Sequence, residues 1–261
     1  MLILNADDFG LDAKINTAIA RCFEKGLCSS CSIMPTMPGF DEAAELVRKL
    51  GLQEHTGIHV VLTEGRPLTE PIKRCARFCD REGSFIISRK THFWRLASEE
   101  KRVLAIEIRA QIKKCRKAGL QLTHLDSHNH LHEEWGILPI FETLALEGNI
   151  PYIRLASTST RVYTLTRLYR QVVNRRLYDL GLARTNYFGT LIDYLSWAQS
   201  LNPKHAIQST WEVMLHPGFG IDGLLIDTWL NEPLEASIKQ LPNYNIATSF
   251  SGASLSLSAV T

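Results

Sequence analysis

The sequence predicts an α/β fold built on a parallel sheet, and three observations predict it. Short apolar runs alternate with helical patterns in a strand–helix–strand–helix rhythm from the first residues onward. The polar clusters Asn5–Gly10 and Thr123–His132 fall where apolar runs give way to loops, the place where α/β proteins build their sites. No linker, internal repeat or domain boundary interrupts the 261 residues.

Composition narrows the function classes. A chain of 261 residues that is 45% hydrophobic can bury a full core. A net charge of +2 and a pI near 8.2 are too mild to imply a nucleic-acid partner. Leu2-Ile3-Leu4 is too short for a signal peptide, and no apolar run approaches the roughly 20 residues of a transmembrane segment. A cytoplasmic location is expected. The six cysteines (Cys22, Cys28, Cys31, Cys75, Cys79 and Cys115) are then reduced thiols. Cys28-Ser-Ser-Cys31 has zinc-ribbon spacing, but it lies in a strand entering the core, where small thiols pack like valine.

The elements follow in order. Met1–Asn5 reads as a buried strand ending in Asn5-Ala6-Asp7-Asp8-Phe9-Gly10, paired carboxylates before a glycine that allows a sharp turn. Asp12 caps a helix through about Gly26 with Ile15, Ala18, Ile19, Cys22 and Phe23 on one face. Cys28–Met34 is a second strand and Asp41–Leu50 a second helix. Thr56–Leu62 is a third strand with His59 inside an apolar run. Alone, that histidine would read as a satisfied core residue; between a paired-carboxylate strand end and a histidine cluster it reads as a metal ligand.

Thr63–Phe93 is a long polar connection of the kind that forms lids or substrate walls. Ser98 should cap a helix whose stripe is Leu104, Ile108, Ile112 and Cys115, ended by Gly119. Leu120–Leu125 then delivers the chain to Thr123–His132, which holds four of the nine histidines beside Asp126. Such donors suit zinc, manganese, cobalt or nickel; the plain alternative is an exposed polar loop.

Trp135–Leu146 reads as a helix and Pro151–Leu155 as a strand carrying Arg154, which either contacts substrate, holds a site carboxylate or lies on the surface. Ser157–Asn186 carries six arginines against the single acid Asp179, read as a helical insertion or a homodimer contact before an anion site. Ser209–His216 is a further strand and Asn245–Phe250 the last, followed by a loose tail.

Asn5–Gly10, Gly57–Gly65, Thr123–His132 and Glu212–Gly218 resemble, in content and order, the signature blocks of the YdjC-like (ChbG/HpnK) carbohydrate deacetylases. The resemblance spans about residues 1–250 and is weaker at 157–186 and after Gly220. It implies a single-domain, modified TIM-like (β/α) barrel with one divalent metal, magnesium or zinc, at the carboxyl ends of the strands. It places the metal ligands on Asp8, His59 and His128, the catalytic base on Asp7 and a proton donor on His216. The substrate it implies is an N-acetylated sugar, a chitooligosaccharide or another N-acetylglucosamine derivative.

The chemistry asks for the same set. Amide hydrolysis needs an activated water, charge stabilisation for the oxyanion and a proton for the departing amine. Successive strand residues point to opposite sides, so Asp7 and Asp8 should not share the metal, although their roles could be exchanged. Asp126, His130, His132, Arg154 and Glu212 are expected around the ligands or the substrate. Two other readings stay open: hydrolysis of a different amide or ester, and a catalytically silent sugar-binding regulator.

Overall fold

The computed structural model describes residues 1–88, 92–182, 185–200, 209–241 and 250. Six parallel strands form one curled sheet, a half-barrel, in the order β4-β3-β2-β1-β6-β5. These are β1 (Leu2–Phe9), β2 (Ser30–Ile33), β3 (Thr56–Val60), β4 (Leu125–Ser127), β5 (Tyr187–Gly189) and β6 (Trp211–Leu215). β1, the longest strand and buried along nearly all its length, lies inside the sheet between β2 and β6; its register pairs Leu4 with Val213 and Ala6 with both Cys31 and Leu215. The complete TIM-like barrel is not what these six strands make. The segment expected as a strand at Pro151–Leu155 contributes only an isolated bridge, Leu125 to Ile153. Yet the chain there reaches both sheet edges. Leu125 N–H donates to the Tyr152 carbonyl on the β4 side, and Thr158 N–H to the Phe188 carbonyl on the β5 side.

Helices pack on the outside of the sheet. The first is α1 (Ala13–Glu24), capped by Asp12, whose carboxylate accepts from the Lys14 and Ile15 N–H groups. It is followed by α2 (Phe40–Lys49), the short α3 (Glu70–Lys73) and the long α4 (Ser98–Lys117). Ser98 is not the cap of α4: Ala97 occupies that position, and Glu100 folds back to accept the Ala97 N–H at 2.7 Å. A carboxylate reaching back onto the first turn does the work expected of the serine hydroxyl. The run Leu120–Leu125 is strand only from Leu125, because ladder pairing with β3 fixes β4 at Leu125–Ser127. Then come α5 (Leu138–Glu147), which starts later than Trp135 and carries Pro139 in its first turn, α6 (Thr164–Asp179) and α7 (Leu191–Ser200).

A separate antiparallel flap follows β6. It comprises β7 (Pro217–Phe219), β8 (Leu225–Asp227) and β9 (Glu232–Pro233), and leads into α8 (Leu234–Lys239). The arginine-rich insertion is α6 and its flanks; Arg176 pairs with Glu142 at 2.6 Å, while Leu165, Leu168 and Val172 face outward. All six cysteines are free and five are buried, so they are core residues rather than a zinc ribbon. No described helix is long and apolar enough to cross a membrane. The strand expected at Asn245–Phe250 lies outside the described residues except for Phe250, which is buried against Tyr152 and His124.

Candidate active site

The carboxyl ends of β1, β3, β4 and β6 converge on one cavity of about 230 Å³. Asp7, Asp8, His59, Ser127, His128, Asn129, His130, His216, Thr228 and Trp229 line it. The sequence places Asp7 and Asp8 on opposite sides of a regular strand, but the structure brings both to this cavity. The β1–β2 register shifts between Ala6 and Phe9, and Asp8 has φ 68°, a left-handed conformation rare outside glycine. The bulge breaks the alternation.

Asp8 Oδ1 lies 3.3 Å from His59 Nε2 and 3.1 Å from His128 Nδ1. One carboxylate and two imidazoles from three strand ends therefore offer ligand atoms within 4.8 Å of one another, a donor set suited to a borderline divalent ion. The outer nitrogen of each imidazole is held by another carboxylate: His59 Nδ1 by Asp126 at 2.8 Å, His128 Nε2 by Glu64 at 2.6 Å. This arrangement fixes the ring orientation that ligation requires. A second acidic group, Asp7, His59 and Asp126, is also compact. It suits a cation poorly, because the Arg154 guanidinium already sits 2.7 Å from both carboxylates.

The electrostatics follow from this packing. Burial would raise the Asp8 pKa, but hydrogen bonds from His128 and His59 hold it well below the usual carboxylate range. Burial would lower the His59 pKa, but Asp126 and Asp8 raise it to about 10. Burial dominates at His124 and His132, whose pKa values fall to about 3, so both are neutral.

Arg154 is fully buried and touches three carboxylates. Its Nη1 and Nη2 donate to Asp7 Oδ2 and Oδ1 at 2.7 Å, Nη2 also meets Asp126 Oδ2 at 2.7 Å, and Nε donates to Glu212 Oε1 at 2.6 Å. Glu212 also accepts from the Tyr152 hydroxyl at 2.5 Å. Arg154 therefore holds site carboxylates; it is neither on the surface nor in the cavity lining, and Glu212 stands behind the cavity with it.

His130 lines the cavity with φ 58°, following Asn129 at φ 57°, two left-handed residues that turn the chain sharply after His128. His132 is buried away from the cavity, and its Nδ1 pairs with the Ser127 hydroxyl at 2.8 Å. His216 enters from β6. Its backbone N–H donates to Asp227 Oδ2 at 3.0 Å, while its Nδ1 is buried without a hydrogen-bond partner.

Sequence reasoning missed four residues. Glu64 was visible in Thr63-Glu64-Gly65 but had no assigned partner until the loop after β3 brought it to His128. Tyr152, Asp227 and Trp229 gave no sequence signal, since each acts through a contact made only in the fold.

A family model described as YdjC-like protein matches residues 1–246. A carbohydrate deacetylase of Brevibacillus brevis is 37% identical over 223 residues, covering 84% of this chain and 81% of its own. One of Clostridium beijerinckii is 29% identical over 248 residues, covering 94% and 92%. One of Thermoanaerobacter pseudethanolicus is 31% identical over 227 residues, covering 86% and 83%. Among solved structures, a protein provisionally named a cellobiose-phosphate cleavage protein, from Enterococcus faecalis V583, superposes with a TM-score of 0.64. Its identity is 22%, and the match covers 97% of this chain and 89% of that one, a likeness of fold.

Proposed function

The chain belongs to the YdjC-like protein family, and from that premise we propose that it is a metal-dependent deacetylase of N-acetylated sugars. The observation that carries the reading is the convergence of Asp8, His59 and His128 on a cavity that Asp7 and His216 also line. The relatives named carbohydrate deacetylase supply the substrate class. In this reading Asp8, His59 and His128 hold one divalent ion, magnesium or zinc. Such an ion supplies positive charge for an oxygen becoming negative and acidifies water.

The chain's own groups do the rest. Asp7 Oδ1 accepts from both Asn5 Nδ2 at 2.8 Å and Arg154 Nη2 at 2.7 Å, whereas Oδ2 accepts only from Arg154 Nη1 among these bonds. A carboxylate oxygen has two lone-pair sites, so Oδ2 keeps one for the proton of an attacking water. Arg154 neutralises Asp7 and leaves Asp8 as the carboxylate paired only with imidazoles. That asymmetry favours Asp7 as base and Asp8 as ligand over the exchanged roles. His216, which lines the cavity from the end of β6, gives the proton that the departing sugar amine requires.

The test is acetate release from N-acetylglucosamine oligomers with and without added magnesium or zinc. Metal-dependent release, abolished by a chelator, is expected. Sugar binding without release would turn the reading into a silent binder. Release only from acetyl esters or non-sugar amides would replace the substrate class.

A further inference from the structure

Trp229 stands apart from the rest of the cavity wall. Among the described residues, the others that line it are carboxylates, imidazoles and small polar groups. Trp229 is the one large apolar surface of that described lining, and it is 49% exposed. Its ring lies 5.3 Å from the His216 ring at 62°, edge to face.

The turn that carries it is held firmly. Asp227 Oδ1 accepts the Trp229 N–H at 2.9 Å and the Leu230 N–H at 3.0 Å, while Oδ2 accepts the His216 N–H at 3.0 Å. Thr228 N–H and hydroxyl both donate to the His216 carbonyl, at 2.8 and 3.1 Å. Thr228 also packs so closely on Gly218 that a Cβ there would stand 2.3 Å from its methyl group. One buried carboxylate thus fixes the backbones of the imidazole and the indole together. A tryptophan whose backbone is pinned in the cavity wall and whose side chain is half exposed offers a face that a ligand can cover.

We propose that Trp229 is the platform on which the substrate's pyranose ring stacks, presenting its acetamido group to His216 and the Asp8–His59–His128 centre. A pyranose offers axial C–H groups on one face, which match the negative face of an indole, and hydroxyls at its edge for the polar walls. This inference rests on the deacetylase reading and adds the residue that selects a sugar.

The test compares wild type with Trp229→Ala, Trp229→Phe and Trp229→Leu on N-acetylglucosamine and its β-1,4-linked dimer and trimer, with divalent metal present and thermal melting as a folding control. Trp229→Ala and Trp229→Leu should raise KM about tenfold with kcat nearly unchanged, and Trp229→Phe should restore most of the loss. An unchanged KM in folded Trp229→Ala or Trp229→Leu overturns the platform while leaving the deacetylase reading intact. So does a fall in kcat with constant KM, which would make Trp229 a support for His216. If wild type neither binds nor cleaves any of the three sugars, both readings fall together.

Discussion

Arg154 grips Asp7 by both oxygens, with Nη1 and Nη2 each 2.7 Å from the carboxylate; the arginine is fully buried and Asp7 shows only its edge to the cavity. The same guanidinium holds Asp126 and Glu212, so one cation compensates three buried acids. Arg154→Ala should therefore cost about 3–5 kcal/mol of stability, the scale for breaking a buried charge pair. Arg154→Lys cannot reproduce the two-pronged grip and should recover only part of it. Urea denaturation read by circular dichroism measures both; an alanine variant as stable as wild type would refute the account.

His216 and His59 should fail in different ways. His216→Ala should keep metal affinity and lower turnover by roughly 10²–10⁴-fold, the scale of a lost general acid. His59→Ala should lose the metal instead. Calorimetric metal titration beside acetate-release kinetics separates the two. Near-normal turnover in metal-loaded His216→Ala would pass the proton-donor role to another group, His130 being the cavity histidine closest in kind.

Glu64 contacts His128 Nε2 at 2.6 Å and resembles Asp126 in its service to His59. Glu64→Gln should weaken divalent-metal affinity by about 10–100-fold, as loss of an orienting carboxylate does, without lowering the melting temperature of the metal-free protein. Unchanged metal affinity in calorimetry would reduce Glu64 to a loop contact.

Acid should act through the buried neutral histidines. His124 and His132 have pKa values near 3 in the folded chain against an ordinary 6.5, so unfolding takes up protons between those values. The stability they contribute is complete above about pH 6.5 and is lost as pH falls towards 3. His124→Asn removes one such group. Its stability deficit relative to wild type should narrow as pH drops below 6.5, by at most about 1.4 kcal/mol per pH unit. A deficit that stays constant from pH 7 to pH 4 would show that His124 does not titrate on unfolding.

How much of this was legible depended on distance along the chain. The strand-end clusters were visible because Asp7, Asp8, His59 and His128 are residue types that core strands avoid, set inside apolar runs. The helices α1 and α4 were visible from their stripes, though the cap of α4 was not, since Glu100 can replace a serine only once the first turn exists. The partners of Arg154 were illegible. Its contacts to Asp7 and Glu212 span 147 and 58 residues and depend on the register of β1 against β6. The pairing of Glu64 with His128 depended likewise on where a long loop comes to rest.

The left-handed backbone at Asp8, and again at Asn129, sets this protein's use against its own durability. A side chain held at such an angle costs of order 1–3 kcal/mol that a glycine would not. Selection for heat resistance alone would therefore drift towards Asp8→Gly, gaining robustness at the moment it discards the carboxylate between the two histidines. If Asp8 holds the metal as proposed, a stabilised descendant has to find its gains elsewhere in the sheet and helices.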